Sequence, residues 1–176
     1  MDFSELCQHR QSCRDFTGQP VEHEKLVNCV EAARMAPSGC NSQPWRFVVV
    51  ETPGLVQEVS KCTMQMGINE YTSKAGAFIV VMEEHAVLMP SLRKILDSQY
   101  FAKGDVGAAS ISICLAAAEQ GLGTCILGIF DREKLCQVLD IPAEKRISVV
   151  IAVGYPSSDK IRPKIRKPLE EIARFT

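Results

Sequence analysis

Hydrophobic patterning along this chain points to an α/β or α+β sandwich, a small sheet with helices on both faces. Strand-like runs rich in β-branched and aromatic residues stand at 45–51 (WRFVVVE), 77–82 (AFIVVM) and 147–153 (ISVVIAV). Stretches with apolar residues at helical spacing separate them. The third observation is segment 105–120, which carries no charge between Val106 and Ala118. A helix that apolar all round has to be buried on nearly every side, and its small residues would let a second backbone approach, which favours the centre of a dimer over the centre of a monomer.

In chain order, a helix over 2–10 sets Phe3, Leu6 and Cys7 on one face, and Thr17-Gly18-Gln19-Pro20 makes a turn. A helix over 22–35 aligns Leu26, Val30 and Ala33, with Val27 widening the stripe, until Pro37 and Gly39 stop it. Pro53-Gly54 breaks the first strand, and a short helix follows over 55–64. The run 77–82 is apolar without alternation, the pattern of a strand covered on both faces. Pro90 suits the start of a short helix over 91–100. Asp105 is the expected N-cap of helix 105–120, with Gly121 and Gly123 as its stops. A short strand covers 124–128, a helix capped by Asp131 covers 131–139, and Gly154-Tyr155-Pro156 ends the last strand. No repeat or linker divides the text, so residues 1–176 are expected to form one domain.

The composition narrows the function classes. With 176 residues, 46% hydrophobic and 23% charged, the chain has the balance of a globular protein and not of a disordered, collagen-like or mucin-like one. Lys plus Arg is 20 against 21 for Asp plus Glu, so the basic excess of a general nucleic-acid binder is missing. The uncharged stretch 106–118 is shorter than the roughly 20 residues a bilayer span needs. Asp2, Glu5 and Arg10 exclude a signal-peptide reading of the first residues. A cytoplasmic protein with no membrane and no nucleic-acid partner is expected. Eight cysteines without a Cys-x-x-Cys pair exclude a zinc ribbon and a thioredoxin-type motif, and are expected to be buried free thiols.

Searches for self-sufficient chemistry fail. The text has no Gly-x-Ser-x-Gly elbow, no His-Glu-x-x-His and no P-loop, and His9, His23 and His85 lie far apart, as surface residues do. Gly121-Leu122-Gly123 follows a helix, the wrong context for a dinucleotide fingerprint. No metal site is expected, and an enzyme of this composition takes its difficult chemistry from a cofactor. Two basic clusters are more informative. Arg10-Gln11-Ser12-Cys13-Arg14 offers two guanidinium forks, an amide and a hydroxyl. In Lys164-Ile165-Arg166-Lys167, the alternate spacing puts Lys164 and Arg166 on one side of an extended chain. Together they could close around one dianionic phosphate; taken singly, such runs are solvated surface. The loop from Ala36 to Trp45 sets Ser38, Asn41, Ser42 and Gln43 between Pro37 and Pro44. It suits the polar edge of a planar heterocycle, or is simply a capped turn.

Taken together, four segments resemble the FMN-dependent nitroreductase superfamily: 10–16 (RQSCRDF), 36–49 (APSGCNSQPWRFVV), 105–109 (DVGAA) running on to 118–123 (AEQGLG), and 164–172 (KIRKPLEEI). The resemblance implies a three-layer sandwich with a largely antiparallel sheet, built as an intertwined homodimer with two FMN sites at its interface. It implies that Arg10, Ser12 and Arg14 form half of an FMN phosphate clamp and Lys164 and Arg166 the other half, with Gln11 near the pyrimidine ring or ribityl chain. Pro37, Ser38, Gly39 and Asn41 match the loop that the partner subunit lays on the isoalloxazine. Asn69 matches an asparagine bonded to the flavin ring, and Leu127 and Gly128 a turn whose backbone N–H faces flavin N5. The implied activity passes hydride from NADH or NADPH through tightly bound, non-covalent FMN to an electron-poor small molecule, a nitroaromatic or quinone, by a ping-pong scheme with no catalytic side chain. A reductive dehalogenase or other specialised flavin enzyme of the same fold, and a non-catalytic flavin-binding or sensing module, are the alternatives. The chain departs from the pattern at Gln11, where a basic residue is common, at Leu127, where some members are polar or acidic, at Cys40, and in a short 83–104 segment that implies an open pocket.

Overall fold

A computed structural model describes residues 1–65, 67–89, 91 and 97–176. Strands β1 (Trp45–Val50), β2 (Ala77–Glu83), β3 (Gly123–Leu127) and β4 (Arg146–Gly154) form one sheet in the order β1-β2-β4-β3, with every neighbouring pair antiparallel. Alternation along the two central strands sorts the core into two faces. Ile79, Val81, Ile151 and Val153 pack against helices α2 (His23–Arg34) and α4 (Ser98–Glu119). Phe78, Val80, Val150 and Ala152 pack on the other face against α3 (Pro53–Thr63) and α5 (Arg132–Val138). The unbroken apolar text of β2 is thus that of a strand with a helical layer on each side, and the sandwich has three layers. Helices α1 (Phe3–His9) and α6 (Leu169–Ile172) stand at the chain ends.

Several element boundaries and faces depart from expectation. Helix α4 begins at Ser98, so Asp105 lies inside it and is not its N-cap; its carboxylate instead accepts the Gly39 N–H at 3.1 Å. The short helix expected over 91–100 falls mainly outside the described residues. The C-terminus of α4 stops as expected. Gly121, at φ 76°, lets the Leu122 N–H reach the Ala117 carbonyl at 2.8 Å and its own N–H reach that of Ala118 at 3.1 Å, the two bonds of a Schellman cap. The apolar part of α4, Tyr100–Glu119, exceeds the stretch 106–118 and is long and apolar enough by composition to cross a bilayer, but one side of it is packed on the sheet through Val106, Ala109, Ile113 and Ala117.

The expectation that this helix is covered nearly all round fails within one chain. Beyond their own helix turn, Gly104 and Gly107 have nothing described within 4 Å of where a Cβ would stand, and Ile111 is exposed. Likewise Phe3 of α1 is exposed, and Val27 turns outward on α2 while Cys29 takes the buried position beside Leu26 and Ala33. Cys13, Cys29, Cys62, Cys114, Cys125 and Cys136 are buried free thiols, whereas Cys7 and Cys40 are exposed.

The segment after α1 runs along the edge of the sheet. Ser12 bridges Thr124 in parallel, the Cys13 N–H donates to the Thr124 carbonyl at 2.8 Å, and Phe16 bridges Pro156. This close approach depends on glycine. A Cβ at Gly123 would stand 2.7 Å from the Cβ of Cys13 and 2.8 Å from its sulfur, and one at Gly154 would stand 2.9 Å from the Phe16 ring. The Arg10–Arg14 text is therefore held on β3 by backbone packing.

Candidate functional site

The two ends of the chain meet in an open cleft of about 290 Å³, where Arg10, Ser12 and Arg14 face Arg162, Lys164 and Arg166. Pinning of the first segment to β3 sets one wall. The other wall is the irregular stretch 157–168, which returns from β4 along that segment. Lys164 Nζ donates to the Arg10 carbonyl at 2.5 Å, and the Arg162 guanidinium donates to the Ser12 carbonyl. Gln11 turns its amide onto the returning stretch. Its Nε2 donates to the Lys160 carbonyl at 2.9 Å, and its Oε1 accepts from the Arg162 backbone N–H at 3.2 Å and from Arg162 Nε at 3.1 Å.

The electrostatics of the cleft are those of an anion site. Burial, then the neighbouring Arg10, Arg166 and Arg162, hold the Lys164 ammonium below its usual range. Arg10 Nε is buried with no hydrogen-bond partner among the described residues. Crowded cations and an orphaned donor are both relieved by an oxyanion that accepts several charge-assisted bonds at once. The donor set, guanidinium forks with an ammonium and a hydroxyl, fits a phosphate monoester such as that of FMN.

The remaining sequence-predicted residues lie apart from this cleft. Pro37, Ser38, Gly39 and Asn41 line none of it. Their loop is tied to α4 through Gly39 and Asp105, and inside itself by the Gln43 N–H to Ser38 Oγ at 3.0 Å and Gln43 Nε2 to Asn41 Oδ1 at 3.2 Å. Cys40, Asn41 and Gln43 all have positive φ, a backbone state that an ordinary capped turn does not need three times over. Asn69 is also left-handed, at φ 60°, and its amide bonds the Thr63 carbonyl at 3.2 Å and the Tyr71 hydroxyl at 3.0 Å. Burial, then the thiol of Cys125 at 3.2 Å, raise the Tyr71 hydroxyl well above its ordinary value, and Arg14 adjoins the same hydroxyl. The Leu127 side chain is buried in the core, so a polar side chain at that position would not reach the surface; Gly128 beside it has open space on its flank.

Two residues escaped the sequence reading. Arg162 joins the cationic wall, and its signal was present: Lys160, Arg162, Lys164 and Arg166 alternate along an extended segment. Tyr71 links Asn69 to Arg14, and no local pattern marks it.

The three-layer arrangement is the nitroreductase fold. The model of the nitroreductase family matches residues 7–155, and the chain belongs to that family. A protein of Archaeoglobus fulgidus, provisionally named as an NADH dehydrogenase/NAD(P)H nitroreductase, is 30% identical over 86% of this chain and 83% of its own length. Iodotyrosine deiodinase 1 of Sus scrofa is 29% identical over 97% of this chain and 67% of its own. A structure from Exiguobacterium sibiricum 255-15, determined in complex with FMN, has a TM-score of 0.86 at 20% identity over 100% of this chain and 98% of that one. At that identity the likeness is one of fold.

Proposed function

We propose that this chain is an FMN-dependent oxidoreductase that passes hydride from NADH or NADPH to an electron-poor small molecule, a nitroaromatic or a quinone, in two half-reactions. The observation that carries this reading is the cationic cleft, where Arg10, Ser12 and Arg14 meet Lys164 and Arg166, with a buried Arg10 Nε that has no partner among the described residues. Arg10 and Arg14 would hold the cofactor phosphate by their forks, Lys164 and Arg166 would neutralise its second charge, and Ser12 would add a neutral donor. Bound there, FMN supplies the hydride carrier that the side chains themselves lack.

The chain's own part is to bind and orient. Tyr71 holds the Asn69 amide oxygen, which fixes how that amide is presented to the ring. The backbone at Gly128, open on its flank, is assigned to the edge of the ring. The loop of Pro37, Ser38, Gly39 and Asn41 is assigned to the ring of the opposite subunit, consistent with its standing outside the cleft of its own chain. A homodimer follows from the same reading. Gly104, Gly107 and Ile111 present an uncovered face of α4, and Leu169, Ile172 and Phe175 project uncovered from the C-terminal end, a spread of apolar surface that a second copy would bury. Free thiols throughout fit a reducing cytoplasm.

The test is colour. Arg10→Ala combined with Lys164→Ala is expected to purify colourless while the wild-type protein is yellow, and a double variant that stays fully yellow overturns the clamp. Anaerobic NADH or NADPH should bleach the flavin band rapidly, whereas a binding module without catalysis would keep its colour. A second reading, reductive dehalogenation, is favoured by the likeness to iodotyrosine deiodinase. A panel of halogenated phenols against nitroaromatics and quinones as oxidants of the reduced protein separates the two.

A further inference from the structure

The returning stretch 157–168 has no regular structure and no strand partner among the described residues. It carries five cations, four of them at alternate positions, Lys160, Arg162, Lys164 and Arg166, and runs along a segment that already holds Arg10 and Arg14. Like charges at this range repel, and Ile165, which is 91% exposed, gives the stretch no core anchor. Something other than charge must hold the two walls together before an anion arrives.

The neutral amide of Gln11 does this on both of its ends. Its Nε2 takes the Lys160 carbonyl at 2.9 Å, and its Oε1 takes two donors of Arg162, at 3.2 and 3.1 Å. The other arm of the Arg162 guanidinium closes on the Ser12 carbonyl. Arg162 therefore uses the width of its fork to span a side chain and a main chain, which an ammonium cannot do. Lys164, two residues on, then falls opposite Arg10.

We propose that Gln11 and Arg162 form a latch that docks the C-terminal strap on the N-terminal segment, placing Lys164 and Arg166 opposite Arg10 and Arg14 before the phosphate binds. Arg162 and Gln11 are positioning residues of the cofactor site. The identity of the anion rests on the flavin reading above; the latch itself needs no ligand.

The experiment measures amide hydrogen exchange over 158–168 in the purified full-length protein, before and after FMN is dialysed away, together with FMN affinity by fluorescence quenching. Gln11→Ala and Arg162→Ala should each speed exchange of the strap and weaken FMN about 10-fold, the loss expected when a charge-assisted bond is removed. Arg162→Lys keeps the charge without the fork, so the strap should still exchange fast. Lys167→Ala, which removes one charge from the same stretch outside the latch, should change neither quantity. Wild-type exchange in both Gln11→Ala and Arg162→Ala overturns the latch, as does full recovery of both quantities in Arg162→Lys. A loosened strap with unchanged FMN affinity overturns the positioning role. A wild-type protein that takes up no FMN, with the exchange difference intact, keeps the latch and refutes only the flavin reading.

Discussion

Lys164 Nζ donates to the main-chain carbonyl of Arg10, so residues 154 positions apart in the chain share one hydrogen bond. The contact joins a segment locked to the sheet edge to a strap that has no ladder of its own. It also explains why the basic text at either end of the chain means little until the fold closes.

Cofactor affinity should depend on alkaline pH through Lys164. Burial and the adjoining guanidinium groups lower its folded pKa beneath 10.5. Between that lowered value and 10.5 the unfolded chain keeps a proton that the folded chain has shed. Stability therefore rises with pH across this window, and the penalty for the charged lysine is fully present below it. A phosphate reverses the preference, because it binds the ammonium. FMN affinity is expected to be full at neutral pH and to fall as pH climbs through the lowered pKa, sooner than an ordinary lysine would allow. Lys164→Arg should remove that fall, because guanidinium stays charged. Fluorescence titrations across the alkaline range check it, and identical profiles for the two proteins would refute it.

Gly123→Ala should damage both stability and the clamp. Its new methyl would stand 2.7 Å from the Cβ of Cys13, and relieving that overlap means prising the N-terminal segment off β3. The expected loss is about 1–3 kcal/mol in urea unfolding, accompanied by weaker FMN binding. Gly54→Ala is the control: outside its own helix turn nothing described lies within 4 Å of its Cβ position, and at the start of α3 the change should not destabilise, adding at most about 1 kcal/mol of stability.

The open face of α4 should govern assembly. Light scattering on the wild-type protein should give twice the 19.4 kDa chain mass. Ile111→Glu, a charge placed beside Gly107 on the uncovered side, should shift the mass toward one chain. Because Ile111 is exposed within its own chain, the variant should retain its fold by circular dichroism. A wild-type protein that scatters as a single chain rules the assembly out.

Local text and global arrangement divide cleanly at particular residues. The apolar run of β2, the Asp131 cap and the Gly121 stop are legible, because each depends on neighbours within a few positions, whereas Pro53-Gly54, which reads as a break, forms the first turn of α3. Asp105 stands before an apolar run as a cap would, but its partner, the Gly39 N–H, comes from another element. Val27 and Cys29 are both apolar on α2, and only the angle at which that helix meets the sheet decides that Cys29 is the buried one.

By itself the sequence determined which residues could make strands, helices and caps, and which side chains could hold an anion: Arg10, Ser12, Arg14, Lys164 and Arg166. Only the tertiary structure decided the strand order β1-β2-β4-β3, the part played by Arg162, and the docking of the Gln11 amide on the strap. The reason is physical. Periodicity and capping are short-range effects of the chain's own geometry, whereas a hydrogen bond between positions 11 and 162 exists only once the intervening core has brought the two ends within reach.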